Sequence, residues 1–343
     1  PLGASLGAVG GPTPLLLVRH AADEGCAIAA LRLLRSCVLF QPANSRQFEA
    51  GRGWARLSLI LRALPPEMLT EGVCTACVAL AMDQTFEAPA EPTALPACRG
   101  SCVADTRPLR QVALHFPLWS TAPAATQRHW LRLLHWLLSE DARGTWNAEQ
   151  LMRGGALEAM LLVVRSPTAA SGTPLLAARL AFRVWHAVEA PSDATRLMLS
   201  FLTSTLVPGS GAASSSDVQL LCLRMLARMT SHLASLLTTA GGGALGGLAP
   251  GVAGGARGLV SLLTPSALLL FLQPSADRKA ATLALRMAAR LLHLSSAHPA
   301  AVPFAPAFAA ASGFDQLAVL LPVHAAAPDV HLSLLRLLLA SPP

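Results

Sequence analysis

The chain has no tyrosine and one lysine, Lys279, and only 13% of its 343 residues are charged. Aromatic residues make up 5%. Each shortage excludes a class of function. Nucleic-acid binders set stacking aromatics among basic clusters, so no nucleic acid is expected as a partner despite a net charge of +7. The 19 acidic residues are scattered, adjacent only at Asp23–Glu24 and Glu140–Asp141, and form no paired acidic motif that nominates general acid–base work. No G-x-S-x-G, P-loop, Rossmann glycine pattern or HExxH occurs. The expectation is a protein that is not an enzyme and holds no cofactor. Alternating apolar and polar residues, the mark of strands, are also missing.

Long apolar runs are scarce as well, although the mean hydropathy is +0.49. The most apolar stretch, "GLVSLLTPSALLLFLQPSA" (258–276), is interrupted by Pro265 and Pro274. About eight residues remain between interruptions, against the roughly 20 needed to span a bilayer. Seven cysteines, an odd number scattered through a large chain, form no disulfide scaffold and point to a reducing, cytoplasmic setting. The chain opens on Pro1 and closes on Pro343 without an initiator Met, which reads as a piece of something longer.

What is abundant is alanine and leucine, both helix formers, so the expected class is all-α. Helical periodicity runs at about 27–40, 53–64, 66–82, 124–139, 157–165, 174–189, 192–206, 217–238, 277–294, 314–321 and 329–340. Breakers divide these into N-terminal repeats (1–85), a Pro-rich loop (86–105) and central repeats (106–238). A Gly/Ala-rich insertion (239–258) then precedes C-terminal repeats (259–343). A smaller break, "PGSGAASSS" (208–216), interrupts the central repeats.

One pattern occurs three times. Phe48 precedes Gly51, Gly53 and Trp54, followed by Leu57, Ile60 and Leu61. Leu151 precedes Gly154 and Gly155, followed by Leu157, Met160, Val163 and Val164. Phe308 precedes Gly313 and Phe314, followed by Leu317, Leu320 and Leu321. A short helix, a glycine stop and an apolar helix describe all three, with glycine expected to take the left-handed conformation at the corner. Trp54, Leu57 and Ile60 are expected in the core.

A second pattern is Arg-x3-Arg-x2-His. It covers Arg128, Arg132 and His135; Arg179, Arg183 and His186; and Arg286, Arg290 and His293. Arg224 and Arg228 match its first two positions. Offsets of four and three put each set on one helical stripe. The spacing of the sets, allowing for the Gly-rich insertion, is about 45 residues, within the range of armadillo and HEAT units. The fold expected is therefore an armadillo/HEAT-like α-solenoid of degenerate repeats with loop insertions. Aligned stripes would form a cationic ridge able to hold proteins through acidic peptides, or an anionic membrane surface, with the histidines adding charge in mild acid.

Two constellations read as packing. Cys74-x2-Cys77 with Cys98-x3-Cys102 has the look of a zinc set, but "EGVCTACVALAM" is an apolar helix in which cysteines act as small hydrophobes. No metal is expected. "HWLRLLHW" (129–136) places His135 on the polar stripe opposite Trp130, Leu133, Leu134 and Leu137, a solvated face over a core face, with His129 standing alone.

"LRLLRSCVLFQPANSRQFEAGRGWARLSLIL" (31–61) and "FAPAFAAASGFDQLAVLLPVHAAAPDVHLSLLRLLLASP" (304–342) resemble helical regions of the giant BEACH-domain proteins. That group includes the autophagy-linked FYVE protein ALFY, SPIRRIG, neurobeachin and the lysosomal trafficking regulator. The resemblance covers about a fifth of the chain. It implies an armadillo-like solenoid that scaffolds membrane trafficking or selective autophagy, in the cytoplasm and on organelle surfaces. No BEACH domain, WD40 blade or FYVE finger is present in these residues, so those activities do not carry over.

Overall fold

The computed structural model describes residues 13–39, 42–83, 102–138, 143–188, 192–206, 216–239, 268–269, 278–297, 302–320, 322 and 327–340. Most of the Pro-rich loop, with Cys98, and nearly all of the 208–216 break, the Gly/Ala-rich insertion and the apolar 258–276 stretch lie outside them. The protein is all-α. Among the described residues the sole strand-like feature is an isolated bridge between Met82 and Val103. The chain forms two compact units, Pro1–Val188 and Glu189–Pro343.

Unit 1 contains α1 (Thr13–Arg19), α2 (Glu24–Leu39), α3 (Pro42–Ala50), α4 (Gly53–Ala63) and α5 (Glu71–Ala79). These are followed by the short α6 (Phe116–Trp119), then α7 (Ala124–Leu137), α8 (Gly144–Arg153), α9 (Ala156–Arg165) and α10 (Thr173–Ala187). A row of helices forms its centre: α2 packs on α5, α5 on α7, and α7 on α10. The periodicity explains why. On α7, Trp130, Leu133, Leu134 and Leu137 are buried while Arg128 and Arg132 are exposed, so one face serves the core and the other water.

Polar side chains fix the row where apolar packing alone would let helices slide. The Thr70 hydroxyl caps α5 by accepting from Val73 N at 3.2 Å and donates to Glu24 Oε1 at 2.6 Å, tying α5 to the first turn of α2. Asn147 donates to the Leu137 carbonyl at the end of α7 (3.0 Å) and accepts from Val103 N (2.9 Å). It thereby satisfies one of the carbonyls left unpaired at a helix C-terminus. Asn44 stands at the same place before α4's hairpin and donates to Cys37 O of α2 at 3.5 Å.

Before α6, a single turn at Thr106–Pro108 runs into a π turn, Leu109–Ala113, that the periodicity did not predict. Wider winding leaves carbonyls without their usual helical donors. Two buried indoles supply them: Trp119 Nε1 and Trp130 Nε1 both donate to Ala113 O, at 3.0 and 2.6 Å. Stacking of Trp130 on Phe116 and Trp119, with centroids 6.1 and 6.3 Å apart, fills the space around them.

In unit 2, α11 (Ser192–Leu206) packs on α12 (Ser216–Thr239), and α12 packs on α13 (Arg278–Ala297). Helix α13 also carries α14 (Phe304–Ala310) and α16 (Pro328–Ala340), with α15 (Gly313–Leu320) following α14. Ser295 Oγ of α13 accepts from Ala305 N of α14 at 2.9 Å.

The three hairpins α3–α4, α8–α9 and α14–α15 share one construction. Arg52, Gly155 and Ser312 occupy equivalent positions between their helices, with φ of 52°, 84° and 50°. The left-handed residue is therefore a glycine only once. This corrects the expectation that Gly51, Gly53 or Gly313 turns the corner. Gly53 and Gly313 instead make room for an aromatic ring: a Cβ at Gly53 would lie 2.4 Å from the Phe48 ring, and one at Gly313 would lie 2.6 Å from that of Phe308. In the middle hairpin the ring is replaced by Leu151 and the following residue is Ala156. Small against large is conserved in volume across the contact. The next residue closes on the ring edge-on: Phe48–Trp54 at 4.7 Å and Phe308–Phe314 at 5.0 Å. Trp54 and Leu57 are buried as expected, whereas Ile60 is half-buried.

Two substitutions check this construction. Gly53→Ala should destabilise by about 1–3 kcal/mol through overpacking, and adding Phe48→Leu should recover part of that loss, because the pair then matches Leu151 with Ala156. Denaturant melts of both variants measure the recovery, and strictly additive losses would contradict the contact. Trp54→Ala should cost about 3–5 kcal/mol, and an unchanged melting temperature would place the indole outside the core.

Candidate functional site: arginine stripes and buried histidines

The arginine stripes are brought together in pairs, each pair within one unit. In unit 1, α7 carries Arg128, Arg132 and His135, and α10 carries Arg179, Arg183 and His186. Arg183 crosses to α7, its Nη1 standing 3.0 Å from the ring nitrogens of His135. Arg128, Arg132, Arg179 and His186 are exposed, and His186 packs on Phe182 with centroids 6.0 Å apart. In unit 2, Arg290 of α13 donates to Ser231 Oγ of α12. Arg224, Arg228, Arg286 and His293 are exposed there. Arg224 and Arg286 line one hollow of about 380 Å³ together with Arg278, Lys279, Thr282 and Asp329.

His135 does not behave as the sequence suggested. Burial first, then the Arg183 and Arg179 charges, push its pKa below the usual histidine value. A neutral imidazole accepting from a guanidinium cannot reinforce a cationic stripe in mild acid. It links α7 to α10 instead.

His129, read as standing alone, is 3% exposed. Its Nε2 pairs with Thr75 Oγ1 at 2.9 Å, and its Nδ1 lies 3.6 Å from Glu71 Oε2. A hydroxyl, an imidazole and a carboxylate in that order have the connectivity of a nucleophile, base and orienting acid. Thr75 is only 1% exposed and also donates to Glu71 O at 2.9 Å, which makes the set a clamp between α5 and α7. His129's pKa is lowered by burial, with Glu71 opposing and Arg132 adding to the effect. His115 makes a similar link, its Nδ1 2.8 Å from Ser58 Oγ, and burial followed by the Arg62 charge lowers its pKa. The periodicity of helix 66–82 carried the signal for Thr75: a lone hydroxyl amid Val73, Cys74, Ala76 and Cys77 needs a polar partner.

Cys74 and Cys77 are fully buried in α5, and burial raises both thiols well above their usual pKa. A thiol held protonated in an apolar setting is a packing group, since metal ligation and nucleophilic attack both need the thiolate. Cys222 on α12 is likewise buried, its pKa pushed up to about 12. Cys102 donates to Asp83 Oδ2 at 3.1 Å, and Arg143 reaches the same carboxylate at 3.3 Å. These contacts join the two ends of the 84–101 segment, as do Asp83 N to Cys102 O and Ala104 N to Ala81 O, both 2.9 Å.

Comparison with protein-family models, curated proteins and solved structures finds no match for the chain. Among the described residues no single helix is long and apolar enough to cross a membrane.

The three lowered histidines fix a pH dependence. An unfolded chain binds protons at histidine near pH 6.5, while folded His115, His129 and His135 resist protonation. The unfolded state thus holds more protons below that pH, and stability falls as pH drops through about 6.5. The melting temperature should be lower at about pH 5.5 than at about pH 7.5, with a smaller difference in His129→Gln. A flat profile would contradict the burial of these rings.

Proposed function

We propose that the chain is an armadillo-type α-solenoid segment serving as a non-catalytic scaffold in a large BEACH-type protein of membrane trafficking or selective autophagy. The observation that carries the reading is the hairpin built three times, with left-handed Arg52, Gly155 and Ser312 each followed by a small residue under Phe48, Leu151 or Phe308. After α3–α4, α8–α9 and α14–α15 comes a third helix, α5, α10 or α16. A steep hairpin followed by a third helix is the armadillo unit, and stacking such units produces extended binding surfaces. The α2–α5–α7–α10 row in unit 1 fits a line of third helices. Exposed Leu16 and Leu17 on α1, and Leu332, Leu335 and Leu339 on α16, suit helices that carry stacking faces.

The two stretches that resemble BEACH-domain proteins each include one of these hairpins, which supports the narrower part of the proposal. Its partners are proteins, gripped along exposed helices. A second reading, a free-standing adaptor for acidic peptides or anionic headgroups, is favoured by the exposed Arg128, Arg132, Arg179, Arg224, Arg228, Arg286 and Arg290. The transcript beyond the Pro343 codon separates the two. An open frame leading into a BEACH domain is the expected result, and a stop codon close behind Pro343 would overturn the scaffold assignment and leave the adaptor.

A further inference from the structure

The hollow in unit 2 gathers four of that unit's described cations around one open space. Helix α13 contributes Arg278, Lys279 and Arg286, α12 contributes Arg224, and α16 contributes Asp329. Residues 278, 282 and 286 recur every four positions, so Arg278, Thr282 and Arg286 line one face of α13. Helix α13 packs against α12, α14 and α16, and the hollow is lined from α12, α13 and α16. Four cations and one carboxylate stand among the described lining residues. Asp329 engages Arg278 at 3.2 Å, with both side chains at least half exposed. No carboxylate partner is described for the exposed Arg224 or Arg286, although each guanidinium has the planar fork that pairs with a phosphate.

Size and charge together narrow the ligand. A hollow of about 380 Å³ exceeds what one phosphate fills and falls within the range of small-ligand sites. A pair of linked phosphates matches that size and offers Arg224 and Arg286 one phosphate each. Thr282, on the same face, donates its hydroxyl to the Arg278 carbonyl at 2.9 Å, so the arginines are left to hold the anion.

We infer that this hollow binds a small diphosphorylated ligand, with Arg224 and Arg286 as its principal grips. The ligand is either free in solution or displayed as the headgroup of a lipid. Asp329 holds Arg278 in place at the rim and weakens anion binding by its own charge. The site lies wholly within unit 2 and does not depend on the solenoid reading, so either can fail alone.

Titration calorimetry of the whole chain with inorganic pyrophosphate, at about 0.15 M salt to screen exposed charges, tests the site. One equivalent should bind saturably. Arg224→Ala with Arg286→Ala should weaken it at least about tenfold, since each loses a charge-assisted contact. Arg56→Ala with Arg165→Ala, which removes two exposed arginines elsewhere, should leave binding unchanged. Asp329→Asn should tighten binding severalfold, a direction that a merely structural role for the carboxylate would not produce. Vesicles containing a bisphosphorylated inositol lipid, compared with phosphatidylserine vesicles of equal charge, identify the source. Pocket-dependent capture by the former assigns a lipid headgroup, and binding of pyrophosphate alone assigns a soluble ligand. No saturable binding, or equal weakening by both arginine pairs, would overturn the site.

Discussion

Everything else in this fold depends on how sharply its paired helices turn. A left-handed residue costs a non-glycine side chain roughly 1–2 kcal/mol, yet Arg52 and Ser312 both adopt that conformation. The aromatic contact behind each corner offsets the strain. Phe48 and Phe308 can lie against the following helix because Gly53 and Gly313 have no Cβ, and Trp54 and Phe314 then meet the rings edge-on. Where the ring is absent, at Leu151, the corner is Gly155 and little strain arises. Backbone strain and packing thus change together from one hairpin to the next.

Polar groups inside unit 1 serve register more than chemistry. Thr75–His129, Ser58–His115 and Arg183–His135 each join two helices or a helix and a turn. Asn44 and Asn147 close the ends of α2 and α7 onto the next hairpin. Buried links of this kind tolerate few partial substitutions, because removing one partner strands the other away from water. They also explain why nucleophile-like and base-like residues can sit side by side without forming a reaction site: the Thr75 hydroxyl is covered and already engaged.

The all-α class and most long helices were legible because alanine and leucine recur at helical spacing and proline and glycine mark the breaks. The π turn at Leu109–Ala113 was not, since it depends on indoles of Trp119 and Trp130 that reach it from later in the chain. Hairpin equivalence was visible in the spacing of Phe48, Leu151 and Phe308, but a glycine turns the corner only at Gly155, with Arg52 and Ser312 in its place elsewhere. Sequence shows where a glycine is, not whether it is there for its φ or for its missing Cβ. Asn147 could have been found by the same alignment, since it precedes Leu151 by the interval that separates Asn44 from Phe48. The arginine stripes were legible as helical faces. Their division, with Arg183 and Arg290 turned to neighbouring helices and Arg224 and Arg286 to a shared hollow, required the packing of α7 with α10 and of α12 with α13.

Strained corners and cross-helix links together organise this fold. The corner itself is the point on which this account is most directly tested, by replacing Arg52 and Ser312 singly with glycine and measuring melting temperatures. At a left-handed corner glycine relieves the strain, and both melting temperatures should rise. If these positions instead lie in ordinary helix, glycine costs about 1 kcal/mol, and a fall in either melting temperature would contradict the hairpin.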